Sequence, residues 1–516
     1  MRLKKLGKLL TSKFLLVCFL LLIEIAIIPV AFYWFLFSVE STWIFVALCA
    51  AVILLDIAIS LFIINSEMNA EYKIAWLVPV LLIPPVGALI YLTLRRRPRP
   101  RRQLKELAKK FSAMDILYTR KGARTEANAG SFASDGFAKS CAEYVEKTTR
   151  LAATDCYDFE YFPSGETYFS RLTEELEKAE RYIFLEYFIL RPGKFWDTVL
   201  AILKRKAAEG VDVRVIYDDI GSMLKVPDNY AAELERQGVK CMCFNPFRPV
   251  LDIAQNNRTH RKIALIDGET VFTGGINLSD EYINLTHPFG QWKDTGVMVR
   301  GRVAQNFAAM FLQLWSARES GEDYTKYLTA CPKGDIACVA FSDSPLEEGA
   351  NVCEDLYLKL IYNAKKYVWI NTPYLILDGE MKRALISAAR SGVDVRITVP
   401  NIPDKKYVFA VTKAFYSQLV KEGIRIYRYT PGFIHAKSIV SDDKYCIIGS
   451  TNMDFRSFYL HFECDMMFFD ERVSEKLRDD YLQTCEECSE VTEKDIKDSF
   501  PRLVYRAILR IFAPLM

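Results

Sequence analysis

The chain has 516 residues, enough for two or three domains, and a net charge of only +3. So near-neutral a balance gives no argument for a polyanionic partner; the distribution of charge is what informs. The 13 cysteines are odd in number and scattered, which argues against a secreted disulfide framework and for reduced, mostly buried thiols.

Residues 1–13 carry Arg2, Lys4, Lys5, Lys8 and Lys13. Three apolar runs follow, Phe14–Phe37, Trp43–Ile64 and Ile74–Leu94. Each is long enough for the roughly 20 helical residues that cross a bilayer core. A signal peptide fits poorly, because two further runs follow and no small-residue cleavage site is present. Arg95-Arg-Arg-Pro-Arg-Pro-Arg-Arg102 comes directly after. It reads as a stop-transfer flank, and also as a surface for anionic headgroups, worth about 1 kcal/mol per basic residue near the membrane. The basic flanks at 2–13 and 95–110 both favour the cytoplasmic side, whereas three full spans put them on opposite sides. Glu24 and Pro29 in the first run and Asp56 in the second are unusual inside a membrane. A re-entrant or interfacial run would leave two spans. The expectation is a multi-pass cell-membrane anchor over 1–95 with two or three transmembrane helices, and catalytic domains on the cytoplasmic side.

A mixed, weakly periodic stretch at 96–165 reads as a basic connector. Tyr182–Ile189 is then predicted as a strand, Phe195–Ala208 as a helix stopped by Gly210, and Val211–Tyr217 as an alternating strand. Asn229–Gln237 is a helix. Cys241-Met-Cys243 reads as a strand. Lys262–Ile266 and Thr270–Thr273 form a strand pair across Asp267-Gly268. The second half repeats this order: helix Glu354–Lys365, strand Tyr367–Asn371, helix Glu380–Arg390, strand Val393–Val399, helix Val408–Leu419, strand Ile424–Tyr427. Gly210-Val-Asp-Val-Arg214 and Gly392-Val-Asp-Val-Arg396 mark the same place in each half. Alternating strands and helices imply an α/β fold, here two homologous domains over 166–328 and 340–500. Cys485-Glu-Glu-Cys488 lacks a second CxxC or paired His to complete a zinc set. The tail, 501–516, is an amphipathic helix. Arg502, Arg506 and Arg510 lie on one face, and Val504, Ile508, Ile511 and Leu515 on another. It suits a membrane interface and a packed surface helix equally.

One motif occurs twice. His260-Arg-Lys262-Ile-Ala-Leu-Ile-Asp267 is followed by Gly274-Gly275-Ile-Asn277, and His435-Ala-Lys437-Ser-Ile-Val-Ser-Asp442 by Gly449-Ser450-Thr-Asn452. Both copies read HxKx4D with the same tail, and they use two of the four histidines in the chain. In a strand His and Lys of one copy share a face. If the halves pair about a pseudo-two-fold axis, two imidazoles and two ammoniums converge, which suits a phosphate group. Asn277 and Asn452 would add neutral donors to its oxygens. One neutral imidazole would attack phosphorus to give a phospho-histidine. The other would protonate the leaving alkoxide and then take the proton of the incoming hydroxyl. The lysines neutralise the oxygens, so neither a metal nor a cofactor is expected. Each imidazole needs a carboxylate to fix its tautomer, and Asp294 and Glu463 are the candidates. The catalytic set is thus His260, Lys262, Asp267, His435, Lys437 and Asp442, with the two motif aspartates expected to brace turns away from phosphorus.

The paired motif resembles the phospholipase D superfamily, and within it the bacterial cardiolipin synthases. The likeness rests on His260–Gly268 with Phe272–Tyr282, on Tyr429–Lys437 with Asn452–Glu463, and on Tyr217-Asp-Asp-Ile-Gly-Ser222 and Ile402-Pro-Asp-Lys-Lys406. It spans nearly the whole chain. The resemblance implies two phospholipase D-like domains in pseudo-two-fold arrangement behind a membrane anchor. It implies transfer of a phosphatidyl group between two phosphatidylglycerol molecules, giving cardiolipin and glycerol, with His260 as nucleophile and His435 as acid/base. Gly296 departs from the pattern, standing where the family often has His. So does the third apolar run, since two are usual.

A phospholipase D that passes the same intermediate to water is the alternative reading. A nuclease on this scaffold predicts a basic groove with stacking aromatics near the motifs, and no such run is present, so no nucleic-acid partner is expected. A non-catalytic scaffold would not need both motifs intact. Asp218-Asp219 ends a strand beside the expected site, and a turn cap is favoured over a headgroup contact. His461 sits near Glu463, and His287 reads as a loop residue.

Overall fold

The computed structural model describes residues 41–95, 132, 135–247, 253–319, 322–346, 351–497 and 499–515, with Val30, Trp34, Phe35, Phe37 and Ser38 ahead of them. The basic N-terminus, nearly all of the first apolar run and most of the arginine-rich stretch lie outside the described residues. Two compact units emerge: residues 1–101 with 247–255, and the remainder of the chain.

In the first unit, Thr42–Ile64 is a helix of 23 residues. Among the described residues it alone is long and apolar enough to cross a bilayer. The third apolar run is not one helix, which corrects the sequence expectation. Ala70–Leu82 stops, and Val86–Arg95 starts anew after Pro84-Pro85. Two successive prolines remove two N–H donors and clash with the preceding turn. Pieces of 13 and 10 residues fall short of a bilayer core. Asn69 caps the first piece, accepting from the Glu71 N–H at 3.0 Å. The pieces pack back on the long helix around Ile59, Ile63, Val80, Ala88 and Tyr91. Gly87 permits the reversal, since a Cβ there would meet the Pro79 carbonyl oxygen at 2.0 Å.

The second unit is a duplicated α/β fold. The first sheet has seven strands in the order Asp158–Phe162, Gly296–Arg300, Thr270–Gly274, Lys262–Ile266, Tyr182–Tyr187, Asp212–Asp218, Lys240–Phe244. The second repeats it with Ile336–Asp343, His461–Phe468, Tyr445–Gly449, Ser438–Ser441, Tyr367–Asn371, Asp394–Pro400, Arg425–Tyr429. In each half the last three strands are parallel and the rest antiparallel. The parallel strands are buried on both faces, hence near-continuous apolar runs such as Tyr182–Tyr187. Phe195, Trp196, Val199 and Leu203 of helix Lys194–Ala208 cover one face of the first sheet.

The segment read as a connector is structured where it is described. Asp158–Phe162 completes the first sheet, and Thr154–Cys156 pairs with Ile336–Cys338 in the second. Helix Gly136–Thr149 is capped by Asp135, which accepts from the Phe137 and Ala138 N–H groups. It lies on the second half, with the Phe137 and Tyr445 ring centroids 4.8 Å apart. Residues 135–162 therefore tie both sheets together. Short strands and a helix whose partners are distant in sequence leave little local periodicity. The twelve described cysteines are free thiols, Cys485 and Cys488 included.

Candidate active site

The motif hairpins set the site. The Asp267-Gly268 turn has φ of +54° and +73°, and its copy Asp442-Asp443 has +56° and +62°. Each hairpin closes over three residues, Ile266 pairing with Thr270 and Ser441 with Tyr445, and its first two loop residues take left-handed torsions that Gly and Asp supply. Each motif aspartate then ties the hairpin to the neighbouring central strand. Asp267 accepts from the N–H groups of Glu180, Arg181 and Tyr182 at 2.8–2.9 Å. Asp442 accepts from those of Lys365, Lys366 and Tyr367 at 2.7–2.9 Å. The expected bracing is what the geometry displays in both copies.

At the other end of each hairpin stands the histidine. Lys262 pairs with Tyr187, and Ser438 with Asn371, so both motifs open at the carboxyl ends of the parallel strands. There the halves exchange backbone. Arg258–Thr259 runs parallel to His461–Phe462, and Gln291–Lys293 parallel to Gly432–Ile434. The His260 N–H donates to the Phe462 carbonyl at 2.9 Å, and the His435 N–H to the Lys293 carbonyl at 2.7 Å.

The carboxylates are exchanged as well. His260 Nδ1 lies 3.0 Å from both oxygens of Glu463, in the other half. His435 Nδ1 lies 2.6 Å from Asp294 Oδ2, again across the divide. With a carboxylate accepting at Nδ1, each imidazole holds its proton there and leaves Nε2 free. Lys262 Nζ donates to the His260 carbonyl and Lys437 Nζ to the His435 carbonyl. All four motif side chains and both carboxylates are buried.

The two centres differ in what surrounds them. Glu463 also accepts from Ser450 Oγ at 2.5 Å, and His461 Nδ1 is 3.6 Å away. The position of Ser450 in the first half is Gly275, which offers no hydroxyl; a Cβ there would meet Asp294 Oδ1 at 2.1 Å. Asp294 accepts the Thr295 N–H besides its histidine. Burial works against both carboxylates. His260 and His461 nevertheless hold Glu463 below the usual carboxylate range, while burial pushes Asp294 up to about 7 against the pull of Lys437 and Lys262. Trp292 and His461 occupy matching places, each two residues before its carboxylate. Trp292 packs on His435 at 5.3 Å between centroids, and His461 on His260 at 5.6 Å. Tyr282 and Phe433 complete the wall around His435.

Burial holds both motif imidazoles well below the ordinary histidine value, and for His435 the Lys437 and Lys262 ammoniums add to it. Burial likewise lowers Lys262 to about 8 and Lys437 to about 7. The site therefore gathers two imidazoles held neutral and two lysines whose charge burial disfavours. Asn277 is engaged on both sides: Oδ1 accepts from the Ile189 N–H at 3.1 Å, and Nδ2 donates to Tyr282 Oη at 2.7 Å. Asn452 Oδ1 is buried without a hydrogen-bond partner. Asp218 caps helix Asp219–Ser222 through the Gly221 N–H and holds the Thr259 N–H, next to His260. His260, His461 and Glu463 bring ligand atoms within 4.8 Å of one another, the one such trio among the described residues. The shortest links in it are the His260–Glu463 hydrogen bonds already described.

Ser450 was given no role by the motif logic, and His461 was singled out only as a neighbour of Glu463. The signal for Ser450 was Gly-Ser in one tail against Gly-Gly in the other. For His461 it was the two-residue offset from Glu463, shared with Trp292 and Asp294.

Residues 172–315 and 357–484 match a family model described as cardiolipin synthase, PLD-like domain, and residues 54–96 one described as phospholipase D-nuclease N-terminal. A protein of Streptococcus mutans described as uncharacterized is 37% identical, covering 88% of this chain and 99% of its own length. A cardiolipin synthase of Alkalihalophilus pseudofirmus is 31% identical over 92% of this chain and 95% of its own. One from Geobacillus kaustophilus is 36% identical over 68% and 71%. Among solved structures, phosphatidylserine synthase of Haemophilus influenzae shares the fold with a TM-score of 0.57 at 14% identity, covering 74% of this chain and 98% of that one.

Proposed function

The chain belongs to the cardiolipin synthase, phospholipase D-like family, and we propose that it joins two phosphatidylglycerol molecules into cardiolipin and glycerol through a phospho-histidine. The observation that carries this reading is the exchanged pair of His–carboxylate couples, each with a buried lysine beside its histidine. As a member of this family it is a phosphatidyltransferase.

A lipid phosphodiester entering beside Lys262 and Lys437 brings a negative charge that favours their protonated forms. The same charge lifts His435 back toward its ordinary value, so that imidazole gains the proton it must deliver. His260 Nε2 attacks phosphorus. The P–O bond to glycerol breaks, and His435 protonates the departing alkoxide. The glycerol hydroxyl of a second phosphatidylglycerol then gives its proton to His435 and attacks the phospho-histidine, which restores His260. The Ser450 hydroxyl and the ionised Glu463 support His260 as the nucleophile, because an ionised partner makes its Nε2 more electron-rich. Asp294, pushed up to about 7, suits the couple that gives and takes a proton near neutrality. Asn452, Lys262 and Lys437 would hold the phosphate oxygens. Asp267 and Asp442 act at a distance, by fixing the hairpins.

The broken third apolar run supports a two-span anchor. By hydropathy alone the run at 14–37 adds one span to helix Thr42–Ile64, and with 70–95 folded back the basic flanks at 2–13 and 95–102 fall on one, cytoplasmic side. Catalysis then takes place on the cytoplasmic leaflet.

Reconstituted full-length protein given radiolabelled phosphatidylglycerol tests the reading. Cardiolipin plus glycerol is expected. Phosphatidic acid as the sole product would make the protein a hydrolase instead. His260→Ala and His435→Ala should each abolish turnover while the protein stays folded.

A further inference from the structure

The mouth of the site carries exposed apolar side chains in matching places on the two halves. Strands Asp212–Asp218 and Asp394–Pro400 are equivalents, and both end on the side where the histidines stand. The loop after the first exposes Ile220 at 39% and Leu224 at 69%; the loop after the second exposes Ile402 at 39% and Tyr407 at 51%. Leu224 is held at φ +61°, a left-handed conformation uncommon for an apolar residue. The second loop brings the exposed Lys405 and Lys406, whereas Lys225 of the first is half-buried and donates to the Gly221 carbonyl at 2.6 Å. The charges of Lys225 and Lys405 are near enough to act on one another, and that of Lys405 acts on His435.

The C-terminal helix Phe500–Ile511 repeats the combination inside out. It packs against helix Lys406–Lys421, which starts at the second of these loops. An amphipathic helix on a soluble domain turns its apolar side inward. Of its three arginines only Arg506 is half-buried against the domain, while Arg502 and Arg510 stay exposed along its edge. Arg510 stands 4.9 Å over the Phe415 ring, and the charges of Arg506 and Arg502 act on Lys413. Outward it presents Phe500 at 78%, Leu503 at 57%, Tyr505 at 52% and Ile508 at 51% exposure. The following turn, from Ala513, seats against Phe455–Tyr459, which follows the second motif's tail.

We infer that the two mouth loops, 219–226 and 401–407, and the outer face of helix Phe500–Ile511 form a docking surface that dips into a bilayer bearing anionic headgroups. Apolar tips beside lysines match the acyl boundary beneath a negative headgroup layer. A lipid then slides from the leaflet to the histidines with its chains never fully exposed to water. The inference rests on a lipid substrate, the reading above, but it does not depend on which acceptor is used.

Two measurements on the full-length chain test it. Leu224→Ser with Tyr407→Ser, and separately Leu503→Ser with Ile508→Ser, are compared with the parent for headgroup release. Long-chain phosphatidylglycerol in anionic bilayers is set against a short-chain, monomeric phosphatidylglycerol. Each double variant should raise the apparent KM for bilayer substrate about tenfold and leave turnover of the monomer unchanged. Equal losses on both substrates, or no change on bilayers, would overturn the docking surface. Headgroup release is counted whatever the product, so phosphatidic acid in place of cardiolipin would refute only the acceptor. Hydrogen exchange on the parent chain provides a readout free of activity. Segments 219–226, 401–407 and 500–511 should slow on moving from detergent to anionic nanodiscs, and exchange unchanged there sinks the proposal.

Discussion

Glu463→Gln isolates the orienting carboxylate of the proposed nucleophile. In the parent, Glu463 accepts from His260 Nδ1 through both oxygens at 3.0 Å and from Ser450 Oγ at 2.5 Å. The amide keeps the shape but loses the charge, and its NH2 group cannot accept. A hydrogen bond to a charged group contributes about 1.5–3 kcal/mol. At about 1.4 kcal/mol per tenfold in rate, that alone costs roughly ten- to a hundredfold. Wherever the NH2 faces Nδ1, the imidazole proton moves to Nε2 and the nucleophile is blocked, which extends the loss toward about 10⁴-fold by analogy with a triad lacking its carboxylate. Rapid-quench single turnover with radiolabelled phosphatidylglycerol reads the step directly, as the rate at which label appears on protein. Phospho-enzyme should form slowly in Glu463→Gln. In Asp294→Asn it should form with a smaller defect, and the larger loss should fall on later proton transfer to the acceptor. Phospho-enzyme formation within about threefold of the parent in Glu463→Gln would refute the exchanged couple as the source of nucleophilicity.

The remaining expectations concern the lysines, the hairpins and metals. Lys437 at about 7 and Lys262 at about 8 are charged below those values and neutral above them. Therefore kcat/KM should fall as pH rises through that window, while the acid side holds until His260 is protonated, well below the ordinary histidine range. Lys437→Arg, which keeps its charge, should move the basic limb to higher pH, and a pH–rate profile that climbs steadily into alkali contradicts this. Asp267→Ala strands three backbone N–H groups and places alanine at φ +54°. It should cost about 2–4 kcal/mol of stability in denaturant melts, with turnover per folded molecule little changed; full stability with lost turnover would put this aspartate at the phosphate instead. Chelators should leave cardiolipin formation intact. A loss restored by one metal ion would turn the His260, His461 and Glu463 trio into a functional centre.

Much of the catalytic unit was legible because its signals are local. Strand Tyr367–Asn371 falls where its β-branched and aromatic run lies, and the other repeated elements differ from expectation mainly at their ends. The duplicated HxKx4D spacing pointed to both histidines and lysines, and the Asp-Gly turn marked the first hairpin. Asp294 and Glu463 were identifiable as residues. Elsewhere the local signal misled. Ile74–Leu94 reads as one apolar run because hydropathy averages over Pro84-Pro85, whereas the backbone cannot. Residues 135–162 read as a connector because their partners lie far away in the chain.

By itself, then, the sequence determined which groups are candidates for the chemistry, since residue type and strand period are properties of neighbours in the chain. Only the tertiary structure decided their pairing. Glu463 serves a histidine 203 residues away, and Asp294 one 141 residues away, each across the junction of the halves. No spacing encodes that exchange. It arises when two similar sheets dock so that each buried imidazole meets a carboxylate from the other. The same docking breaks the symmetry of the motif, because it sets Ser450 and His461 around one histidine and Trp292 beside the other.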